Sequence, residues 1–327
     1  MTSLFDLAAA NLISPIILSF ALGLLAAMVR SDLTIPEAVA KGMSIYLLFA
    51  IGFKGGAAVS AHGIDATLIA SLVAGLILSF GIPFIAFAML RVMTGLDRTE
   101  AAAVAAHYGS ISIVTFVAAT SVLESQGIAS EGYMVAVAAV MEAPAILSAL
   151  WLVARSGSSS KGIDSKLMRE ILLNGSIVLL VGAFIIGAAT GEKGLAEIAP
   201  FIVSPFKGVL CLFLLDMGLI AGRGLQQARG LIRFNLVAFG IAMPIIGAAL
   251  GMGLGVVAGL ELGGVVLMMV LAASASYIAV PAAMRVALPQ ANPAIYLTLS
   301  LGVTFPFNLT IGIPLYLAAA QLILGAN

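Results

Sequence analysis

Charge is the scarcest property of this 327-residue chain: Lys and Arg number 15, Asp and Glu number 15, and together they make up 9% of a sequence that is 62% hydrophobic. A soluble domain is about a quarter charged. This chain lacks the residues to build a polar shell around a core of its size, so a water-exposed globule is excluded and a lipid environment is required. Cysteine is nearly absent as well. The single Cys211 rules out an intrachain disulfide and any cysteine-based metal cluster. With two His besides, little is available for nucleophilic or metal catalysis. The net charge is zero and no basic tract exists, which makes nucleic acid a poor partner. No basic leader with a small-residue cleavage site opens the chain, so no signal peptide is expected and the first span should act as its own insertion signal. Alternating apolar and polar residues, the mark of a membrane barrel, are missing too.

What is present is a series of long apolar runs, with a mean hydropathy of +1.18. Helical spans need about 20 apolar residues. Ten are expected, at Leu12–Val29, Gly42–Val59, Leu68–Leu90, Glu100–Leu123, Tyr133–Val153, Ile171–Thr190, Phe201–Ala221, Asn235–Ala258, Gly264–Val286 and Ile295–Leu324. The last contains Pro306, Gly312 and Pro314 and is expected to bend.

Lys and Arg sort by connection. Arg30 and Lys41, Arg91 and Arg98, Arg155 to Arg169, Arg223 to Arg233, and Arg285 fall at odd connections. The even connections hold Glu124, Glu131, Glu192, Glu197 and Glu261, with Lys193 and Lys207 their only cations. The positive-inside rule then places odd connections in the cytoplasm and both termini outside. The hydrophilic segment 155–170 divides the chain into residues 1–154 and 171–327, each with five spans. An odd number of spans per half makes any repeat inverted. A repeat is visible: at one constant offset Lys41 meets Lys207, Gly42 meets Gly208, Gly52 meets Gly218, Gly56 meets Gly222, and Glu142 meets Asn308. The same offset carries Gly109 and Ser110 onto Ala275 and Ser276.

Two stretches within spans carry Ser and Gly where a lipid-facing helix would carry Leu, Ile and Val. They are His107–Thr115 (HYGSISIVT) and Leu271–Pro281 (LAASASYIAVP). For either alone, close helix packing by small residues is the favoured reading. For a matched pair in two halves, a transporter binding site is favoured. A helix broken in mid-membrane frees backbone groups, and its half-helix N-terminus attracts a small anion. Gly109, Ser110, Ser112 and Thr115 in the fourth span, and Ser274, Ala275, Ser276 and Tyr277 in the ninth, are the candidate substrate site. Glu142 lies mid-span just before Pro144, and Asn308 is its repeat mate. A charge inside a span is functional by default, so Glu142, Asn308, Thr115 and Ser112 are the candidate sodium ligands. The competing reading is a protonated or structurally paired Glu142. Lys54 and Asp216 are expected to pair with each other, and His107 to serve as a structural hydrogen-bonder rather than a proton relay. No Walker loop, HExxH or Gly-x-Ser-x-Gly elbow appears, so no enzyme and no organic cofactor is expected.

The chain resembles the sodium-dependent bicarbonate transporter family over nearly its whole length. The likeness is carried by IPEAVAKGMSIYLLFAIGFKGG at Ile35–Gly56, MEAPAI at Met141–Ile146, ASASYIAVPAAMRVALPQANPAIY at Ala273–Tyr296 and GIPLYLAAAQLILG at Gly312–Gly325. It differs in the fourth span, where Ile113 and Val114 stand in place of a Gly and a Ser, and in the ninth, where Tyr277 and Ile278 stand at a position acidic in the family. The resemblance implies an all-α membrane protein with a gate domain and a core domain in which two broken helices cross. It further implies Na⁺ coupling, bicarbonate as substrate, a homotrimer, and a PII-like regulator on the cytoplasmic face. The expected function is a secondary active transporter in a bacterial inner membrane, by sodium-coupled bicarbonate symport. The alternatives are symport of a small carboxylate or other organic anion and, from another class, a membrane sensor or scaffold for a PII-like regulator acting through Arg155–Glu170.

Overall fold

The computed structural model describes residues 13–142, 144–154, 169, 173, 175–227, 233–277, 280, 281, 284 and 288–325. Every regular element among them is helical: α1 (Pro15–Met28), α2 (Glu37–His62), α3 (Ala66–Met93), α4 (Arg98–Gly109), α5 (Ile113–Ser125), α6 (Met134–Val140), α7 (Pro144–Ala154), α8 (Gly175–Ile202), α9 (Phe206–Gln227), α10 (Phe234–Ala258), α11 (Leu262–Ala273) and a composite α12 over Pro293–Leu324. Among the described residues eight apolar helices are long enough to cross a membrane, counting α4 with α5 and α6 with α7, and α1 and α11 are shorter apolar helices. Of the expected features, the linker at 155–170 save Arg169, the residues Arg229, Ile278 and Arg285, and most of the ninth span beyond Tyr277 lie outside the described residues.

Polar side chains start these helices where the sequence offers them. Ser14, Asp65, Asp97 and Ser112 each accept a backbone N–H from the first turn of α1, α3, α4 and α5. Proline acts in two ways. Pro83 and Pro244 sit inside α3 and α10 without ending them, whereas Pro144 begins α7 after α6 has stopped at Val140. The fifth span is therefore interrupted at Glu142. The sixth span keeps its expected end but not as a loop: Gly191, at φ 60°, kinks α8, and a further helical stretch runs on to Ile202. There Ile202 packs beside Ala50 and Phe53 of α2. The last span does not simply bend. Thr298–Thr304 and Asn308–Gly312 widen to π-helical winding around a short turn at Phe305–Phe307.

Two sets of helices share the molecule. In one, α2 packs along α8 and α1 along α9. Backbones nearly touch there: a Cβ on Gly52 or Gly56 would meet the carbonyl of Leu180 or Phe184, and one on Gly218 would meet that of Phe20. In the other set α3 packs on α4, α7 and α10, and α11 packs on α10, α12 and α5. Residues Ala101 to Ala106 of α4 are completely buried, and their small side chains let the surrounding helices close in. Apolar faces point outward elsewhere, as on α1 (Leu18, Leu22, Leu25) and α3 (Ile69, Val73, Ile77, Phe80). Such faces have no place in water and fit a lipid surround.

The expected Lys54–Asp216 pair does not form. No oxygen of Asp216 comes within ion-pairing distance of Lys54, whose ammonium instead stands over the Phe206 ring at 5.7 Å from its centroid. Constant-offset matching put the two residues in repeat-mate helices, but α2 and α9 pack mainly on other helices, α8 and α1, rather than on each other.

Candidate functional site

The fourth and ninth spans both break, and the breaks meet. Helix α4 stops at Gly109 and α5 starts at Ile113, leaving Ser110–Ser112 extended. Helix α11 stops at Ala273, and Ser274–Tyr277 is non-helical. Interrupted helices need new partners for the freed backbone groups, and here each break supplies the other. The Ser276 amide donates to the His107 carbonyl at 2.7 Å. The His107 Nδ1 lies 2.6 Å from the Ser276 carbonyl. A carbonyl can only accept, so Nδ1 carries the hydrogen. The ring stacks on Tyr296 at 4.6 Å between centroids and 25° between planes. His107 thus takes the structural role, tying the two breaks together. One turn on, the Ser112 amide donates to Ser274 Oγ at 2.9 Å, and that hydroxyl donates to the Leu271 carbonyl at 2.9 Å.

Gly109 is fixed by close approach. A Cβ there would lie 2.4 Å from Pro83 Cγ and 2.7 Å from Ala145 Cβ, so only glycine lets α4 end against α3 and α7. Ser112 caps α5: its Oγ accepts from the Thr115 amide at 3.3 Å and the Thr115 hydroxyl at 2.9 Å. The hydroxyls of Ser112, Thr115 and Ser274 are therefore engaged in building the crossing. The Ser110 hydroxyl is completely buried and has no hydrogen-bond partner among the described residues. Ala275 is buried in the break, and Tyr277 packs its ring edge-on against Phe305 at 5.3 Å.

A cavity of about 10 Å³, room for roughly one water, lies at the crossing, lined by Ser112, Ile113, Glu142, Ser276 and Tyr277 with Leu48 and Ile111. The structure brings Glu142 to the same space as both Ser-rich breaks, although 30 residues separate Glu142 from Ser112 in the chain. Asn308 is buried but committed: its Nδ2 donates to the Ala273 carbonyl at 2.8 Å, and its Oδ1 accepts from the Tyr316 hydroxyl at 2.7 Å. The two members of this repeat pair therefore have different surroundings. Among the described residues, no group of three or more His, Cys, Asp or Glu side chains stands ready to hold a metal ion.

Two further residues position the breaks and were not singled out from sequence. Glu131 Oε1 accepts the Glu261 amide at 2.8 Å, just ahead of α11, and Glu100 Oε1 accepts the Asn292 amide at 2.9 Å, just ahead of α12. A carboxylate at a helix start is stabilised by the positive dipole end. Each contact joins residues more than a hundred positions apart, so no local pattern announces it. The sequence signal available was only an acidic residue near a span end.

A multi-pass helical membrane protein with two mutually bonded helix breaks has the anatomy of a transporter. Comparison with known families is specific: residues 15–321 match the Na⁺-dependent bicarbonate transporter superfamily. The chain belongs to that family. Among curated proteins none matches it significantly.

Proposed function

We propose that the protein is a sodium-coupled bicarbonate symporter that works by alternating access around the crossing of its fourth and ninth spans. Family membership supports the transported pair, and the geometry of α5 supports where the anion sits. The amides of Ile113 and Val114, in the first turn of α5, have no hydrogen-bond acceptor among the described residues, and Ile113 borders the small cavity. A half-helix N-terminus with free amides is an anion site without any basic side chain. On this reading the donors are backbone groups. That explains how Ile and Val can stand where the resembling family has Gly and Ser. Ser110, with its buried unpaired hydroxyl, and Ser276 complete the anion site; Gly109, Ser112, Thr115, Ser274, Ala275 and Tyr277 shape it.

Glu142 is the preferred sodium ligand, because it faces the same cavity and Na⁺ takes hard oxygen donors. Ser112 and Thr115 are adjacent oxygen donors; Asn308 has its side chain tied up and serves best as a scaffold.

The packing supports an inverted repeat of five spans each. Span one packs on span seven as span six packs on span two, and the glycine contacts step by four residues in both: Gly218 and Gly222 against Phe20 and Leu24, Gly52 and Gly56 against Leu180 and Phe184. The α1, α2, α8 and α9 set would then be the gate and the remaining helices the core. Both termini would face outward from a bacterial inner membrane. A homotrimer and a PII-like regulator bound to the cytoplasmic face complete the proposal.

Uptake of labelled bicarbonate by carbon-limited cells expressing the chain, with and without an inward Na⁺ gradient, tests it. Uptake should require the gradient; uptake indifferent to Na⁺, or none at all, would sink the assignment. A competition panel of small carboxylates separates the rival substrate class.

A further inference from the structure

A large cavity near the crossing has no part in the crossing itself. It measures about 400 Å³ and lies between α2, α5 and the connections that precede α6 and α9. Its floor is Phe116, Val117 and Leu267, all buried, so it begins one residue beyond Thr115. Its rim carries Glu124, Glu131 and Lys207, on the side of the even-numbered connections. Of the rim charges Lys207 and Glu124 answer each other, and Glu131 keeps one carboxylate oxygen, Oε2, without a hydrogen-bond partner among the described residues. Lys207 Nζ is 3.7 Å from Glu124, and Glu131 holds the Glu261 amide ahead of α11. Lys54 is different. It lines the same cavity from within the second span, and among the described residues no carboxylate lies within 4.0 Å of it. Its recorded partner is the face of Phe206. A ring quadrupole stabilises a cation without neutralising it. A cation held within a span without a counter-ion is costly and is retained where it is used.

We infer that this cavity is an antechamber for the transported anion and that Lys54 is the charge that draws the anion in. The inference rests on the proposed bicarbonate reading and adds to it a second, outer subsite. Low-dielectric walls focus the field of one cation on a cleft and raise the local anion concentration. Phe116 and Val117 then separate the antechamber from the Ser112–Thr115 turn, so an anion waits one side-chain layer from the crossing. The ligand class is a small hydrated monovalent anion.

Two measurements test this in a Cys211→Ala background. The first places a reporter thiol on the cavity wall by Ser121→Cys and compares its reaction rates with an anionic and a cationic methanethiosulfonate. Lys54→Gln should lower the anionic-to-cationic ratio by about tenfold, and Lys54→Arg should leave it near the parent value. The second is bicarbonate uptake. Lys54→Gln should raise the half-saturating concentration by about tenfold at low ionic strength, keep the maximal rate within about twofold, and flatten the dependence on added salt. An unchanged thiol ratio overturns the inference. So does a lowered ratio with unchanged half-saturation, or a fall in maximal rate alone, which would mark Lys54 as structural. If the ratio falls as expected while the parent protein takes up no bicarbonate, the antechamber stands and the substrate assignment fails.

Discussion

Replacing His107 separates a tie from a relay. In the structure its Nδ1 donates to the Ser276 carbonyl at 2.6 Å in a completely buried setting, while its ring stacks on Tyr296. His107→Ala strands a buried carbonyl, at about 1–3 kcal/mol, and removes an aromatic pair worth about 0.5–1.5 kcal/mol. The sum is roughly 2–4 kcal/mol, which corresponds to a fall in midpoint of several degrees. His107→Asn is the informative partner. Its amide nitrogen occupies nearly the place of Nδ1, so the bond to Ser276 is kept and only the stacking is lost, about 1 kcal/mol. His107→Gln puts its amide near Nε2 and should behave like Ala. Thermal unfolding of the purified protein in detergent, beside Na⁺-driven uptake in proteoliposomes, reads both quantities. The expected order of stability is His, Asn, then Gln and Ala together, with transport in the Asn variant near the parent rate. Equal midpoints for Asn and Ala would refute the hydrogen-bond account. An Asn variant that is stable yet inactive would show that Nε2 takes part in transport.

Gly109→Ala should destabilise the fold by about 1–3 kcal/mol, because the new Cβ would lie 2.4 Å from the rigid Pro83 ring; a midpoint equal to the parent's would contradict the packing. Ser112→Ala should cost about 1 kcal/mol through loss of the α5 cap that holds Thr115, read in the same unfolding assay, and a stabilised variant would count against it. Glu142→Gln should raise the half-saturating Na⁺ concentration at least about tenfold, since a neutral amide replaces the charge that cancels the ion's. Uptake measured across a sodium titration decides this, and unchanged sodium dependence would remove Glu142 from the sodium site.

Much of this was legible because lipid makes strong demands on sequence. Ten apolar runs, the Ser-rich breaks at Ser110–Ser112 and Ser274–Tyr277, and the loosened helix at Glu142 and Pro144 all follow from local composition and proline chemistry. Contacts between distant residues were not legible in the same way. The Lys54–Asp216 expectation failed because the offset that pairs two helices says nothing of the direction each side chain takes. Glu100 enters the sequence reading only as the first residue of the fourth span and Glu131 only as an acidic residue of an even connection, since their acceptor roles depend on segments that arrive much later in the chain. The Ser hydroxyls are expected as ligands from sequence, and the fold adds a second role: those of Ser112 and Ser274 bond backbone groups that the breaks themselves expose. Residue type marked the place; the arrangement of donors had to come from the fold.

The reciprocal bonding of His107 and Ser276 also limits how the molecule can move. Sliding one break past the other would rupture the two His107–Ser276 hydrogen bonds and the Ser112–Ser274 bond at once. The two crossing segments are thus welded into a single block, and on the proposed alternating-access reading the motion must carry both together. On that reading the yielding seam lies where the block meets α1, α2 and α9, walls that two cavities separate from α5.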